Sequence, residues 1–369
     1  MTHETHRSAL HDKHVSLDAR MGLDSGWDMP LSYSSSLDEA RMVRKSAGIF
    51  DVSHFGRIRI KGADSLDLLE RACTCDIAHQ EDDTAQWTLI CNEKGGIIDH
   101  SRVLRLSDYW LILTSPTSRA RVIEHLESLM AGLNVKIDDQ TTKTSMVCVA
   151  GPQAPSRLQA VMPMPIASLE YGSVKAGSFL IARYIAVRGE LAGLFSLDVI
   201  LPNMLVSQAW RFITEKAGDN MISPAGCGAW DILRLEGGHL RYGHEINETI
   251  NPYQVGLGDL IDTRTGFAGQ EALASLGAKP PSRRLIGLVL TPTQETSAAP
   301  VPRQGSPVLL CDGTEIGNVT SGTFSPALEA PIAMAHVSSA SAQAGMDVEV
   351  VIDENHRCGA NLVNLPFVR

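Results

Sequence analysis

The chain has 369 residues, of which 44% are hydrophobic and 20% charged, and its formal net charge is -10 at pH 7. This length exceeds what one hydrophobic core organises, so we expect more than one domain, and the composition excludes an intrinsically disordered chain. The negative charge disfavours nucleic acid and anionic membrane surfaces as partners, and no run approaches the roughly 20 apolar residues of a membrane span.

The amino-terminal stretch is polar and lacks the apolar core of a signal peptide, which predicts a flexible tail over residues 1–20 and a cytoplasmic location. Four histidines there, His3, His6, His11 and His14, could chelate a metal adventitiously, but the composition favours a frayed terminus. The seven cysteines are scattered and odd in number, which is typical of reduced thiols. Only Cys73 and Cys75 are closely spaced, so we expect no metal site.

The first predicted helix runs from Ser36 to Lys45, where serines precede helix-forming residues, and it ends near Gly48. In the next segment, DVSHFGRIRIKG, the apolar residues Ile58 and Ile60 alternate with Arg57 and Arg59. This alternation predicts a strand that ends at Gly62. A short amphipathic helix, ADSLDLLERAC, follows it.

The next segment, from Ala85 to Ser115, predicts successive strands broken by a turn at Asn92–Gly96. A helix is expected from Arg119 to Leu129. A similar order of strands and helices recurs between Val147 and Phe212. The pattern predicts an α+β fold with antiparallel sheets, not a doubly wound parallel sheet.

Residues 278–284, AKPPSRR, concentrate proline and charge and are therefore interpreted as a linker. Five short β-rich runs follow, separated by Gly, Pro, Ser or Asp, and predict a small barrel or sandwich. The expected organisation is a tail over residues 1–20, a catalytic region of two α+β lobes over 21–277, and a carboxy-terminal β-barrel domain over 284–369.

The sequence contains no P-loop, no glycine-rich dinucleotide fingerprint after a strand, and no GxSxG elbow. Its distinctive segments are longer: GWDMPLSY, GIFDVSHFGRI, CNEKGGIID, AGPQAP, LRLEGGHLRYGHEINETINPYQVGLG and VTSGTFSPALEAPIAMA. In order and spacing these resemble the aminomethyltransferase (glycine cleavage T-protein) family, and also the related folate-dependent demethylases. The resemblance extends from about Gly22 to Val368.

The resemblance implies a three-lobed T-protein-like folate-binding fold with a carboxy-terminal β-barrel. Tetrahydrofolate would be the cofactor, with its pterin buried in a central channel. Such a site needs an aromatic or apolar wall for the flat pterin and a carboxylate for its amino-pyrimidine edge. It also needs a polar or acidic group near the nitrogens that receive the carbon, because charge develops there.

The catalytic position implied by the resemblance is His100. The family usually has two consecutive aspartates after its Gly-Gly turn, and here Asp99 is followed by His100. An imidazole can donate or accept a proton near neutral pH, but it lacks a permanent negative charge. Asp99 could compensate only if the turn is reshaped, because neighbouring strand residues point to opposite faces. His100 either transfers a proton or contacts the substrate, or it is inert in a diverged relative.

The cofactor-binding positions implied by the resemblance also depart from the family pattern. Asp198 stands for the pterin-edge glutamate, with Glu190 as a competing candidate, and Trp87 stands where a tyrosine is common. A tyrosine is replaced by Val187, an arginine by Trp230, an asparagine by Thr114 and a methionine by Phe55.

The resulting hypothesis is a divergent aminomethyltransferase-like enzyme that moves a methyl or aminomethyl group between a small donor and tetrahydrofolate. The missing second aspartate makes a lipoylated carrier protein a doubtful partner. Two alternatives stay open at this point. One is a folate-independent acid–base enzyme that uses His100 on the same fold, and the other is a non-catalytic folate-binding or ligand-binding protein.

Overall fold

The computed structural model describes residues 5–162, 164–179, 182–264, 266–291, 300–354 and 356–369. The chain forms two compact units. The first unit comprises Met1–Leu69, Ile77–Trp87 and Ser101–Asp231, and the second comprises Glu70–Asp76, Thr88–His100 and Ile232–Arg369.

The strands are, in chain order, β1 His6–Arg7, β2 Arg20–Asp24, β3 Trp27–Ser32, β4 Gly48–Asp51, β5 Gly56–Gly62, β6 Thr84–Cys91, β7 Ile97–Arg105, β8 Trp110–Thr114, β9 Val135–Asp139, β10 Thr144–Ala150, β11 Val174–Phe179, β12 Ala182–Leu191, β13 Leu194–Pro202, β14 Ser223–Pro224, β15 Arg283–Leu290, β16 Pro307–Leu309, β17 Glu315–Ser325, β18 Ala330–Ser338, β19 Asp347–Val351 and β20 Arg357–Val363. The helices are α1 His11–Ser16, α2 Ser36–Lys45, α3 Ser65–Ala72, α4 Arg119–Leu129, α5 Ala154–Gln159, α6 Asn203–Arg211, α7 Cys227–Glu236 and α8 Gln270–Gly277. Single 3-10 turns lie at Ile166–Ser168, Gly218–Asn220, Pro252–Val255 and Gly258–Leu260, and a π turn at Phe212–Lys216.

Two sheets belong to the first unit. A three-stranded sheet has the order β1-β3-β2, and a six-stranded sheet has the order β11-β12-β13-β10-β4-β14. Within the six-stranded sheet only the short β14–β4 pair is parallel. The apolar core of this unit includes Leu10, Ile49, Leu197 and Trp210, all nearly inaccessible to solvent.

A third sheet has the order β6-β7-β8-β5-β9. The hairpin of β6 and β7 contributes its base to the first unit, whereas its tip, Thr88–His100, belongs to the second unit. The predicted Gly-Gly turn therefore forms part of the second unit.

The carboxy-terminal strands of the second unit close into a barrel with the order β15-β18-β17-β16-β19-β20. Its interior is lined by small and branched apolar side chains such as Leu288, Ala333 and Val350. The sequence predicted five β-rich runs here, and the structure adds β20. Cys358, Ala360 and Leu362 are buried in alternation with Gly359 and Asn361, but glycine, asparagine and alanine are uncommon in strands and weaken the sequence pattern.

Two predicted helices are confirmed. The helices expected at Ser36–Lys45 and Arg119–Leu129 have those bounds. Ser35 begins the first of them, because its hydroxyl accepts a hydrogen bond from the Asp38 amide at 3.1 Å. The seven cysteines are free of disulfides. Within the described residues, no helix is long and apolar enough to span a bilayer.

The expectation of a flexible tail over residues 1–20 is wrong for residues 5–20, whereas residues 1–4 lie outside the described part. Helix α1 occupies His11–Ser16, and His14 is fully buried. The His14 ring bonds the carboxylate of Asp51 at 2.9 Å and the hydroxyl of Tyr33 at 2.7 Å, and its centroid lies 5.2 Å from that of the Trp210 ring in an edge-on arrangement. Long-range partners therefore order this segment, and a polar composition cannot reveal them.

Candidate functional site

The Gly-Gly turn at the tip of the β6–β7 hairpin is fixed by Asn92. Its side-chain oxygen accepts hydrogen bonds from the amides of Lys94 and Gly96, each at 3.0 Å. Gly95 has a φ of 80°, which a side chain would strain, and a Cβ at Gly96 would collide with the backbone carbonyl oxygen of Glu248. Both glycines are therefore required by local geometry.

The turn leads directly to Asp99 and His100 on β7. Asp99 is fully buried, whereas His100 is half-buried. Further along the strand, Ser101 is buried and Arg102 is partly exposed, so the burial alternates with the period of a strand. This agrees with the expectation that Asp99 and His100 point to opposite faces.

The first unit brings together four side chains that we call the Asp198 cluster: Trp87, Arg102, Tyr171 and Asp198. The guanidinium of Arg102 forms an ion pair with the Asp198 carboxylate. The Arg102 Cζ atom also lies 5.2 Å from the centroid of the Trp87 ring, within cation–π range. The Trp87 indole N–H donates to the hydroxyl of Tyr171 at 2.8 Å, and Tyr171 is largely exposed.

The strand register positions Asp198 opposite two buried neighbours. Asp198 on β13 pairs with Val187 on β12 and with Cys148 on β10. Gly189 keeps space open for the arginine, because a Cβ there would lie 3.0 Å from Arg102 Nη1. Glu190, the competing candidate, is exposed, and its carboxylate instead accepts from the amide of Gly193 in the β12–β13 turn at 3.2 Å.

The electrostatics of the Asp198 cluster favour a charged guanidinium beside a neutral thiol. Burial by itself would lower the pKa of Arg102, but the charge of Asp198 and the hydrogen bond to it leave that pKa raised. Burial raises the pKa of the Cys148 thiol well above its ordinary value, and the adjacent Asp198 charge raises it further. The guanidinium is therefore available as a charged donor, while the thiol is not a nucleophile.

Two further candidates, Phe55 and Trp230, lie together in the first unit. The Trp230 ring contacts Phe55 and Phe50 edge-on, with ring centroids 5.9 Å and 5.3 Å away. Trp230 thus occupies the predicted arginine position as part of an aromatic wall.

Thr114 is buried at the end of β8, opposite Gly56 on β5. A Cβ at Gly56 would collide with the Thr114 hydroxyl oxygen. The hydroxyl donates to the carbonyl oxygen of Ser115 at 3.2 Å. These contacts are local to the β5–β8 pair.

Sequence reasoning missed Arg102 and Tyr171. A signal for Arg102 was available, because it follows His100 by two residues on a strand and must therefore share its face. Tyr171 carried no comparable signal, since it lies in an irregular segment before β11 and meets Trp87 only through the fold.

Comparisons with known proteins agree with this architecture. Residues 10–265 match the GCVT N-terminal domain, and residues 283–369 match the glycine cleavage T-protein C-terminal barrel domain. The chain is 34% identical to an aminomethyltransferase from Thermotoga neapolitana over 98% of both chains. It is 33% identical to one from Symbiobacterium thermophilum over 100% of this chain and 99% of that one.

The fold is also similar to a solved structure, the glycine cleavage system aminomethyltransferase T from Bartonella henselae. The TM-score is 0.89 at 25% identity, with 99% of this chain and 98% of that chain covered. The expected T-protein-like α+β fold with its carboxy-terminal barrel is thereby confirmed. With both family domains matched along the chain, this protein belongs to the aminomethyltransferase (glycine cleavage T-protein) family.

Proposed function

We propose that this protein transfers a one-carbon unit, methyl or aminomethyl, between a small donor and tetrahydrofolate. Membership of a one-carbon transferase family over almost the whole chain supports the reaction class. The same match does not favour a folate-independent acid–base enzyme or a non-catalytic binding protein.

The observation that carries the cofactor assignment is the Asp198 cluster. Asp198 is 3% exposed and lies against the guanidinium of Arg102, and the flat ring of Trp87 lies next to the pair. A pterin has an edge that offers N–H donors next to a carbonyl acceptor. The Asp198 carboxylate is suited to accept from those N–H groups, and the Arg102 guanidinium is suited to donate to the carbonyl. These residues fit the group.

Tetrahydrofolate, when bound, supplies the nitrogen that gains or loses the carbon. The protein has to hold the cofactor edge through Asp198 and Arg102 and to manage a proton during the transfer. We assign the proton to the His100 imidazole, which can accept or donate one near neutral pH. An imidazole replaces the second aspartate of the family. We therefore propose that the donor of the one-carbon unit is a small amine or sulfonium compound and not a lipoylated carrier protein.

Titration of the full-length protein with tetrahydrofolate, followed by tryptophan fluorescence, tests the cofactor assignment. We expect saturable quenching, and we expect Asp198→Asn to weaken binding by about 10-fold to 100-fold because a charge-assisted hydrogen bond is lost. Glu190→Gln is the matched control, since it makes the same chemical change on an exposed carboxylate of the same hairpin. Absence of saturable binding by the wild-type protein would refute the cofactor assignment.

The role of His100 is tested separately by His100→Gln, which keeps a polar side chain without an ionisable ring. We expect the turnover rate for one-carbon transfer to fall by about 100-fold, while the dissociation constant for tetrahydrofolate changes by less than about threefold. Equal losses in both quantities would show that His100 only shapes the binding site. Unchanged turnover would show that it is inert.

A further inference from the structure

A second group of side chains in the first unit has the composition of a metal site. Asp24, His54 and Cys227 each offer one ligand atom, a carboxylate oxygen, an imidazole nitrogen and a sulfur, and these atoms all lie within 4.8 Å of one another. They are far apart in sequence, and we refer to them as the Cys227 group. We propose that the Cys227 group binds a divalent transition-metal ion of the zinc class.

The spacing of the ligand atoms supports this assignment. His54 Nε2 and Asp24 Oδ2 are 3.9 Å apart, which is too long for a direct hydrogen bond between them. Ligand atoms around a tetrahedral zinc ion lie roughly 3.3–3.8 Å apart, given metal–ligand distances of about 2.0–2.3 Å. Small side-chain movements would therefore place all three atoms around one ion.

Each ligand is held by backbone that is fixed independently. Asp24 ends β2, and the hydroxyl of Ser25 donates to its Oδ1 at 2.8 Å, which directs Oδ2 toward His54. His54 follows β4 in a turn closed by the Phe55 amide, which donates to the Val52 carbonyl at 3.1 Å. An oriented carboxylate and a fixed imidazole reduce the reorganisation that metal binding requires.

Cys227 is held at the start of α7 by close backbone contact. The amide of Gly226 donates to the buried Glu39 carboxylate at 2.8 Å. A Cβ at Gly226 would collide with the backbone of Leu31, so glycine is needed immediately before the cysteine. The first turn of a helix also favours a negative charge, and this stabilises a thiolate ligand.

The donor set indicates the kind of ion. Thiolate, imidazole and carboxylate together suit zinc, and three protein ligands leave a fourth position open, as in catalytic zinc sites. Phe55 adjoins His54, and Trp230 follows Cys227 by three residues on α7, so aromatic rings border the group. When the ion binds, the Cys227 thiol releases its proton to solvent and the sulfur bonds the metal, without any redox change.

The proposal is tested on the full-length protein after treatment with a chelator, by titration with Co²⁺ as a spectroscopic substitute for zinc. We expect a thiolate-to-cobalt charge-transfer band that saturates at one equivalent, and competition by Zn²⁺ should remove it. Histidines alone give no such band, so adventitious binding near the amino terminus is distinguishable.

Variants then locate the ion. Cys227→Ser should abolish the band, and Asp24→Asn and His54→Gln should each weaken binding by at least about 10-fold. Cys75→Ser is the matched control, because Cys75 is also a half-buried cysteine outside any disulfide, and it should keep the band. A band that survives Cys227→Ser, or no band in the wild-type protein, overturns the proposal.

A measurement on the wild-type protein tests the same proposal without relying on the folding of any variant. Zn²⁺ should protect Cys227 of the wild-type protein from alkylation by iodoacetamide, as read by mass spectrometry of the peptide. Alkylation of Cys227 at the same rate with and without Zn²⁺ overturns the proposal. Because this readout does not involve tetrahydrofolate, it is independent of the proposed transferase function.

Discussion

Each unit contains a buried carboxylate paired with an arginine, and the two carboxylates differ in how fully they are hydrogen-bonded. In the second unit, Glu245 accepts from Arg234 Nη1 and from the Arg241 amide, each at 2.9 Å. Its other oxygen accepts from the hydroxyls of Thr320 at 2.8 Å and Ser321 at 2.5 Å. The acceptor capacity of Glu245 is therefore filled by the protein itself.

In the first unit, the Asp198 carboxylate is less completely hydrogen-bonded than Glu245. Among the described residues, the Asp198 carboxylate bonds the Arg102 guanidinium through Oδ2 and faces the thiol of Cys148, which is a weak donor. Both carboxylates are buried, yet only Asp198 retains acceptor capacity for a ligand. Burial of a charge thus identifies an energetically costly position, and unfilled hydrogen-bonding capacity distinguishes a binding site from a structural network.

The largest expected effect tests the structural pair. Glu245→Gln removes the carboxylate charge that pairs with the buried guanidinium of Arg234, so we expect the free energy of unfolding to fall by about 3–5 kcal/mol. Chemical denaturation measures this loss. Glu315→Gln, on an exposed carboxylate of the same barrel, should change the free energy of unfolding by less than about 0.5 kcal/mol. A loss in Glu245→Gln no larger than in this control would contradict the comparison.

The next prediction exchanges two candidate residues for the family's usual ones. Combining His100→Asp with Trp230→Arg supplies the second aspartate and the arginine that the resemblance implies. We expect the rate of tetrahydrofolate-linked one-carbon transfer from an aminomethyl donor to rise by at least about 10-fold, equivalent to about 1.4 kcal/mol of transition-state stabilisation. If single-turnover assays show no increase, differences elsewhere in the chain also determine the reaction.

Asp51 is a second buried carboxylate of the first unit, and like Glu245 it is hydrogen-bonded within the protein. Its bonding partners are the His14 ring, the Ser8 hydroxyl and the Ser53 amide. Burial would raise its pKa, but these hydrogen bonds and the His14 interaction lower it to about 2. A depressed carboxyl pKa stabilises the fold above its unfolded value near 4, and this contribution disappears as the pH falls toward 2.

We therefore expect Asp51→Asn to lower the free energy of unfolding by roughly 2 kcal/mol at pH 7. The difference between the wild-type protein and the variant should shrink as the pH falls from about 4 to 2. Urea denaturation at a series of pH values measures it. A difference that stays constant across this range would mean that Asp51 acts through shape and not through its charge.

The sequence predicted the parts of the fold that depend on local signals. Runs of helix-forming residues indicated α2 and α4, a serine cap indicated the start of α2, and glycines indicated the position of the Gly95–Gly96 turn. Helix α1 was missed because His14 is ordered by Asp51 and Tyr33, which lie far along the chain. The domain boundary near residues 278–284 stays a prediction.

The candidate site likewise contains residues that the sequence indicated and residues that only the fold brings together. The motifs indicated Asp198 and Trp87, and the strand period indicates that Arg102 shares the face of His100. The contacts of Arg102 with Asp198 and Trp87 depend on the fold, so no sequence pattern predicts them. The Cys227 group was beyond sequence reasoning, because ligand spacing rules apply to neighbours on one turn or helix. Its three members come from a hairpin, a turn after a strand and a helix start, which only the fold brings together.

The smallest expected effect concerns Glu190, which differs from Asp198 in exposure although both lie on the same hairpin. Its carboxylate accepts one hydrogen bond, from the Gly193 amide at 3.2 Å, and an amide oxygen can accept the same bond. We expect Glu190→Gln to change the free energy of unfolding by less than about 0.5 kcal/mol. The tetrahydrofolate dissociation constant should stay within about twofold. If Glu190→Gln loses folate binding while Asp198→Asn retains it, then Glu190 and not Asp198 is the carboxylate that accepts from the pterin. The pterin edge would then lie at the exposed end of the hairpin.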